Sequence, residues 1–368
     1  MSKLDELMRE LCPAGVFFEF ANDLVLLNNY KQVGAEELEQ MIVDGGNVPL
    51  LPSSRNYDWY TTIEVAGKFL SKGEVFVMGR ARHANTKYAN GFFVSSNNII
   101  IESKNTEKIT TRFLYHYLTS KITDFYVETS TYPKFDMNLF KKVLVPVPPL
   151  EVQCEIVRIL DSFTELTAEL TAELTARKKQ YEHYRDLLLT FDDSVEFKKL
   201  GEVALKVSSG NNKEKNDDGR YPVYGSTGVI ARCNSYKYEK KQILIARVGA
   251  NAGYIHIANG EYDVSDNTII LDLNESVSFS FVYYLLVNMN LNRFAKGGGQ
   301  PLITAGQIKE IKIPLPSLEE QERIVKILDR FDKLCNDLSE GLPAEIETRK
   351  HQYEFYRDEL LSFGNKQV

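Results

Sequence analysis

Apolar residues recur at every third or fourth position through the middle of the chain. This spacing places them on one face of an α-helix, and it continues from Ile156 to Phe191. A helix of about 40 residues is roughly 60 Å long. Because an isolated apolar stripe of that length must be covered, the pattern predicts a long helix packed against a partner helix.

The same pattern returns near the end of the chain. PVPPLEVQCEIVRILDSF, which starts at Pro146, matches PLPSLEEQERIVKILDRF from Pro314 at eleven of eighteen positions. RKKQYEHYRDLLLTF from Arg177 matches RKHQYEFYRDELLSF from Arg349 at eleven of fifteen positions. Two ordered matches of this quality indicate an internal duplication, and the second copy is the obvious partner for the first helix.

The two copies differ in the middle. The first contains TELTAELTAEL over residues 164–174. Each four-residue unit lengthens a helix by about 6 Å and rotates its apolar stripe by roughly 40°. The repeat is therefore either a spacer of adjustable length or a slippage-prone tract in a tolerant helix. In the second copy, Gly341 is expected to end one helix and Pro343 to lie in the first turn of another.

The segments between the repeated blocks mix strand and helix patterns. GEVFVM at 73–78 predicts a strand, FFVSSNNIII at 92–101 a hairpin, and TRFLYHYLTS at 111–120 a helix. The second segment restates the first in weaker form, with Val94 matching Val264 and Gly79 matching Gly249. Both segments are therefore expected to be α/β-type domains of one fold.

Five segments are predicted. They are an amphipathic N-terminal segment over residues 1–16, a globular domain over 17–145, a helical spacer over 146–194, a second globular domain over 195–315 and a helical region over 316–368.

Charge is divided unevenly among these segments. The net charge of the chain is −7, but the globular segments carry zero and +3 while the helical ones carry −5 and −4. The distribution, more than the total, decides whether a surface suits DNA.

Neither a run of eighteen apolar residues nor a leader pattern is present, so we expect a cytoplasmic protein. The four cysteines are scattered and suggest neither a disulfide framework nor a zinc site.

The combination of motifs resembles the specificity (S) subunits of Type I restriction-modification enzymes, in particular the subgroup whose spacer helix contains TAEL units. The resemblance is carried by the two duplicated blocks, the TAEL units, GRYPVYGSTGVI at 219–230, RVGANAGYIHI at 247–257 and VSDN at 264–267. It covers essentially the whole chain.

The resemblance implies an α+β fold: two target-recognition domains held apart by two long antiparallel helices, with an internal pseudo-two-fold repeat. Each domain would read one half of a bipartite site in double-stranded DNA. The helices would set the spacing and dock two methyltransferase (M) subunits, and two motor-nuclease (R) subunits would complete a prokaryotic complex. Adenine methylation with S-adenosylmethionine, and cleavage with ATP and Mg, would occur in those partners, so that this chain is non-catalytic and binds no cofactor.

Catalytic motifs are missing from the sequence in agreement with that reading. There is no GxxxxGK[ST] phosphate loop and no Asn/Asp-Pro-Pro-aromatic tetrapeptide. The five histidines lack metal-binding spacing. KGGGQP at 296–301 is either a flexible loop or a DNA-contacting loop. A scaffold with two domains on a coiled-coil rod and no DNA binding stays the alternative function.

Candidate DNA-binding residues are those on loops whose side chains can reach base edges or phosphates. In the first domain they are Ser53, Ser54, Arg55, Asn56, Arg80, Arg82, Lys87, Ser130, Thr131, Tyr132 and Lys134. In the second domain they are Tyr224, Ser226, Thr227, Arg247, Asn251, Lys296 and Gln300. The first domain has GGNVPLLPSSRNYDW where the second has GRYPVYGSTG, as expected if the two domains read different half-sites. Any one of these residues could instead belong to a solvated loop.

A third group of candidates is repeated on the helices. Tyr184 and Arg185 return as Tyr356 and Arg357. A face present twice can bind two copies of one partner, and Tyr and Arg are frequent interface anchors. Packing between the two helices is the alternative role.

Overall fold

The computed structural model describes residues 2–54, 59–80, 84–214, 216, 218–297 and 300–363. The chain divides into two compact units, each with its own α+β core. Unit 1 comprises Met1–Glu169 and Ile346–Val368, and unit 2 comprises Leu170–Glu345.

The elements up to the long helix are short, as is usual for an α+β domain. They are α1 (Lys3–Leu11), β1 (Phe17–Phe20), α2 (Ala21–Leu24), β2 (Val25–Leu27), β3 (Gln32–Val33), α3 (Ala35–Gln40), β4 (Val48–Leu51), β5 (Tyr60–Thr61), α4 (Ile63–Ala66), β6 (Ser71–Gly79), β7 (Thr86–Ser96), β8 (Asn98–Ser103), α5 (Thr111–Ser120), β9 (Tyr126–Val127), β10 (Lys134–Phe135), α6 (Met137–Lys142), β11 (Leu144–Val147) and α7 (Leu150–Leu188).

The remaining elements repeat this plan with differences. They are β12 (Phe197–Lys199), α8 (Leu200–Val203), β13 (Ala204–Ser209), β14 (Tyr221–Gly225), β15 (Gly228–Cys233), β16 (Gln242–Ala246), β17 (Ile255–Ala258), β18 (Asp263–Val264), β19 (Thr268–Leu273), α9 (Phe279–Asn288), α10 (Ala305–Glu310), β20 (Lys312–Pro314), α11 (Leu318–Asn336) and α12 (Leu342–Leu360).

The main sheet of unit 1 has seven strands, in the order β2-β8-β6-β7-β4-β5, with β3 also pairing with β7. β6 is central and antiparallel to both β7 and β8. The hairpin predicted from FFVSSNNIII is therefore wrong, because β7 and β8 lie on opposite sides of β6. The predicted strand at 73–78 and the predicted helix at 111–120 are confirmed as β6 and α5.

Unit 2 contains a four-stranded sheet, β13-β19-β16-β17, and a three-stranded sheet, β15-β14-β18. Its core packs the inner face of the first of these sheets against α9 and α11, through Ile243, Ile269, Phe281 and Leu328. The corresponding core of unit 1 packs β6 and β8 against α5 and the start of α7. The two units therefore use the same layers to bury their apolar residues.

The long helix of the first copy is continuous, and that of the second is broken. α7 has 39 residues, or about 58 Å of helix, whereas α11 and α12 have 19 each. The break predicted at Gly341–Pro343 is confirmed. A side chain at Gly341 would lie 2.5 Å from the Lys333 carbonyl oxygen, so the residue lets the chain turn tightly against the end of α11.

Each unit pairs one half of one copy with the complementary half of the other. In unit 1, Phe163 of α7 stacks on Tyr356 of α12 with ring centres 5.4 Å apart. In unit 2, Phe331 of α11 stacks on Tyr184 of α7 at 5.7 Å. Phe163 and Phe331 are equivalent in the repeat, as are Tyr184 and Tyr356. The predicted pairing of the two copies is thus confirmed, and it is crossed.

A buried glutamine joins each domain to its helix. The Gln153 side chain accepts a hydrogen bond from the Thr110 N–H at 2.9 Å and donates to the carbonyls of Pro148 and Lys108. Its repeat equivalent, Gln321, accepts from the Ser278 N–H at 2.8 Å and donates to the Pro316 carbonyl. Because Thr110 and Ser278 are the N-cap residues of α5 and α9, this interaction explains why the glutamine recurs in both blocks.

Candidate nucleic-acid interface

Strand register identifies the equivalent loop positions of the two units. Gly79 of β6 pairs with Asn98 of β8, and Ala246 of β16 pairs with Thr268 of β19. The equivalent of Gly79 is therefore Ala246, and the match of Gly79 to Gly249 made from sequence is wrong by three residues.

Arg80 follows β6 and Arg247 follows β16, so the two arginines occupy equivalent positions in the two units. A second contact supports this equivalence, because the Arg80 carbonyl accepts from the Phe135 N–H at 3.0 Å and the Arg247 carbonyl accepts from the Ile303 N–H at 2.9 Å.

In unit 1 the segments that carry the candidate residues meet around Asn98. The Arg80 guanidinium donates to the Asn98 carbonyl through Nε at 3.3 Å and Nη2 at 3.2 Å. The Asn98 side chain donates to the Leu51 carbonyl, two residues before Ser53. The Gln32 side chain also holds Asn98, because it accepts from the Asn98 N–H at 2.9 Å and donates to the Asn98 carbonyl at 3.1 Å. Arg80 and Ser54 are exposed, and Ser53 is half-buried.

Lys87 supports this loop from inside. Its side chain is 6% exposed, and the ammonium donates to the carbonyls of Pro52 at 2.5 Å and Ser54 at 2.7 Å. Burial lowers the Lys87 pKa to about 8. The Asn85 side chain donates to the Ser53 carbonyl. Lys87 thus shapes the loop that carries the two serines, and a direct contact with a phosphate would require the loop to open.

Residues 130–134 lie beside Arg80. β10 pairs with β9, and Tyr126 donates from its hydroxyl to the Gly79 carbonyl. Ser130, Thr131 and Lys134 are exposed. The Lys134 ammonium lies 5.6 Å from the centre of the Tyr132 ring. The candidate segments of the first domain are therefore brought together on one edge of unit 1.

Unit 2 brings its candidates together in the same way. The backbone of the segment after β16 pairs with the segment after Lys296: the Gly249 N–H donates to the Pro301 carbonyl, and Val248 bridges Leu302. The Arg247 Nη1 donates to the Asp266 carbonyl at 3.3 Å. Asn251, Lys296 and Gln300 are exposed.

The loop after β14 is the third part of this edge. The Tyr224 carbonyl accepts from the Ser265 N–H at 2.9 Å, next to the turn that Arg247 contacts. Thr227 is exposed, while Tyr224 and Ser226 are half-buried. β14 pairs with β18 in parallel as β4 pairs with β7, through Val264 and Val94 respectively. The loop at Ser226 and Thr227 is therefore the counterpart of the loop at Ser53 and Ser54.

Three candidates, Arg55, Asn56 and Arg82, lie outside the described residues. Residues that the sequence did not single out also build these edges, above all Gln32, Asn98 and His256. Burial lowers the pKa of His256, whose ring lies close enough to Gly228 that a side chain there would be 3.7 Å away. The repeated VSxN pattern, which ends one residue before Asn98, was the available signal for Asn98.

The two edges offer guanidinium, ammonium, hydroxyl and amide groups, which are the groups that contact phosphates and base edges. Within the described ranges, no group of His, Cys, Asp and Glu side chains could hold a metal ion. In the same part of the chain, no helix is long and apolar enough to cross a bilayer.

The repeated tyrosines and arginines of the helices are only partly available. Tyr184 and Tyr356 are 39% and 42% exposed beside the phenylalanines on which they stack. Arg185 and Arg357 pair with Asp186 and Asp358, at 2.9 and 2.7 Å, and are half-buried. The two tyrosines therefore pack the helices against each other with part of each side chain exposed, whereas each arginine pairs with its neighbour on the same helix.

Comparisons with known proteins agree with the geometry. The family model described as the Type I restriction modification DNA specificity domain matches residues 38–177 and 192–348.

Two curated relatives are each 32% identical to this chain over the aligned residues. A putative type I restriction enzyme specificity subunit of Haemophilus influenzae aligns with 87% of this chain and 89% of its own length. The EcoR124I/EcoR124II specificity subunit of Escherichia coli aligns with 87% and 88%.

Two solved structures share the fold. The S subunit of a Type I restriction-modification system from M. genitalium superposes with a TM-score of 0.64 at 16% identity, covering 93% of this chain and 95% of that one. A chain from a study of complex assembly and conformational transition in a type I R-M system gives 0.55 at 18% identity, covering 94% and 97%.

Proposed function

The chain belongs to the family of Type I restriction-modification DNA specificity subunits, and we propose that it recognises DNA for such a complex without catalysing a reaction itself. Each α/β domain reads one half of a bipartite site in double-stranded DNA. The helical blocks set the distance between the two half-sites.

The observation that carries this proposal is the recurrence of one loop edge in both units. Each edge combines an arginine after the central strand, a hydroxyl-bearing loop after the parallel-paired strand, and a lysine-containing segment before α6 or α10. The surrounding sequences differ between the units, as two different half-sites require. A scaffold without DNA binding has no need to keep these three parts in place.

The proposal extends to partners and cofactors. Two methyltransferase subunits dock on the repeated helical faces that include Tyr184, Arg185, Tyr356 and Arg357, and two motor-nuclease subunits complete the assembly. S-adenosylmethionine, ATP and Mg act in those subunits. The pseudo-symmetry of the stacked Phe–Tyr pairs supports two equivalent docking faces.

Mapping of methylated adenines tests the proposal. The chain is produced together with the methyltransferase of its own system in a host without adenine methylation, and the genome is sequenced for modified bases. The expected result is one bipartite motif with a fixed gap, absent when this chain is omitted. Methylation that is unchanged without the chain would contradict the proposal.

DNA binding by the complex gives a second measurement. Affinity for the motif should fall steeply with added salt, because phosphate contacts release counterions. Fluorescence anisotropy with a labelled duplex between 50 and about 200 mM salt measures this slope. An affinity that does not depend on salt would count against DNA recognition by these loop edges.

A further inference from the structure

The side chains of Arg80 and Arg247 are anchored, although the segments that follow them are unrelated. GRARHANTKY and RVGANAGY share no pattern around the arginine. The structure nevertheless places both arginines one residue beyond the equivalent strand, next to the turn that begins β8 or β19. Each guanidinium is held by a main-chain carbonyl of that turn.

The anchoring of Arg80 leaves one defined edge of the guanidinium available. Nε and Nη2 point one edge at the Asn98 carbonyl. A guanidinium has five N–H donors in a rigid fork. The edge formed by Nη1 and the second hydrogen of Nη2 therefore faces away from the anchor. Gln32 fixes the Asn98 backbone on both sides, so the direction of that edge is set by the fold.

Arg247 is anchored through a single donor. Its Nη1 donates to the Asp266 carbonyl, and its Nε is enclosed by protein. The side chain is half-buried. With Nε enclosed and one hydrogen of Nη1 engaged, the remaining donors are at the Nη end of the group, as they are in Arg80.

An anchored fork fits a base better than a phosphate. Phosphate contacts position a protein and need charge more than direction. Guanine presents the O6 and N7 acceptors side by side in the major groove, and a bidentate arginine is the commonest specific contact to it. A preorganised fork also loses less side-chain entropy when it binds.

We propose that Arg80 and Arg247 are a matched pair of base-reading residues, each recognising a guanine in the half-site of its own domain. The inference rests on the proposed function and makes it more specific. Gln32 acts as a positioning residue for Arg80 through Asn98.

Substitution by lysine tests the proposal, since lysine keeps the charge and loses the fork. R80K and R247K are each co-produced with the methyltransferase, and methylated motifs are mapped. Wild-type sites should contain a guanine in each half. R80K should lose about 10- to 100-fold of its preference at one guanine in the half-site of the first domain, while the other half-site is read as before. R247K should show the reverse.

Matched controls are R9K on α1 and R330K on α11, two exposed arginines away from the loop edges. Neither should change the motif. The unaltered half-site within each variant shows that the complex still assembles. If a variant methylates nothing, anisotropy with four duplexes that differ only at the guanine position measures the lost preference directly.

Three results would overturn the inference. The first is a half-site without guanine. The second is full discrimination retained by R80K or R247K. The third is an equal loss of affinity on all four duplexes with a shallower salt slope in R80A or R247A, because that result indicates a phosphate contact. A wild-type chain that directs no bipartite methylation would instead refute the proposed function.

Discussion

Replacing Gln153 by leucine should destabilise unit 1 selectively. Leucine has a similar volume but no polar atoms, so the Thr110 N–H and the carbonyls of Pro148 and Lys108 lose their partner. Each buried polar group without a hydrogen bond costs about 1–3 kcal/mol. The low end of this range for three groups gives about 3 kcal/mol.

The equivalent change in unit 2 should cost less. Gln321→Leu leaves two groups without a partner, the Ser278 N–H and the Pro316 carbonyl. The low end of the range then gives about 2 kcal/mol. The difference of about one hydrogen bond follows from the extra contact that Gln153 makes with Lys108.

The single tryptophan makes the assay selective. Trp59 lies in unit 1, so its fluorescence during urea denaturation follows that unit, whereas far-UV circular dichroism follows both. Gln153→Leu should lower the urea midpoint of the Trp59 transition by about 1 M, given a slope of about 3 kcal/mol per molar. Gln321→Leu should move only the circular dichroism transition. Gln180→Leu, whose side chain accepts a bond from Arg177 beside it on α7, is the control and should change neither by more than about 0.2 M. An unshifted Trp59 transition in Gln153→Leu would refute the reasoning.

Two further outcomes follow from the structure. Deleting residues 171–174, one TAEL unit, shortens α7 by about 6 Å. The mapped gap between half-sites should then shrink by about two base pairs, while both half-sites stay the same. An unchanged gap would contradict this expectation. His116 is buried against Asp161, and burial lowers its pKa. Below about pH 6.5, His116 therefore binds a proton in the unfolded chain but not in the folded chain. The free energy of unfolding should fall as the pH drops below that value. His116→Tyr copies Tyr284, which bonds to Asp329 in unit 2. In this variant the urea midpoint of the Trp59 transition should no longer depend on pH between 6.5 and 5. A pH dependence equal to that of wild type would exclude His116 as its source.

Local patterns in the sequence predicted the elements well and their pairing less well. The spacing of apolar residues predicted α5 and α7, and Gly341 and Pro343 predicted the α11–α12 break, because each of these is decided by residues within a few turns. The hairpin at FFVSSNNIII failed for a non-local reason. β7 and β8 are adjacent in sequence, but both pair with β6, and the partners of β8 in β6 lie 19–25 positions earlier.

In the loop edges too, local features could be predicted from the sequence and long-range contacts could not. Loop position and residue type were enough to suggest Ser53, Arg80 and Arg247. Matching Gly79 to Gly249 relied on a small residue near a loop, whereas strand register decides equivalence. Charge suggested that Lys87 is a surface cation, but three nearby oxygen acceptors allow it to be buried. Gln32 carries no local signal, because its partner Asn98 is 66 residues away.

The crossed pairing of the repeated blocks changes how the duplication must be understood. Each unit takes its first helical block from one copy and its second from the other, so neither copy folds around its own complete set. The end of α12 completes unit 1: Phe363 packs on Phe113 at 6.4 Å, as Phe191 packs on Phe281 at 6.2 Å in unit 2. Leu361 is buried in the core of unit 1. Because those contacts join the last part of the chain to the first domain, a change near the C-terminus should affect the stability of unit 1, which contains the N-terminal domain.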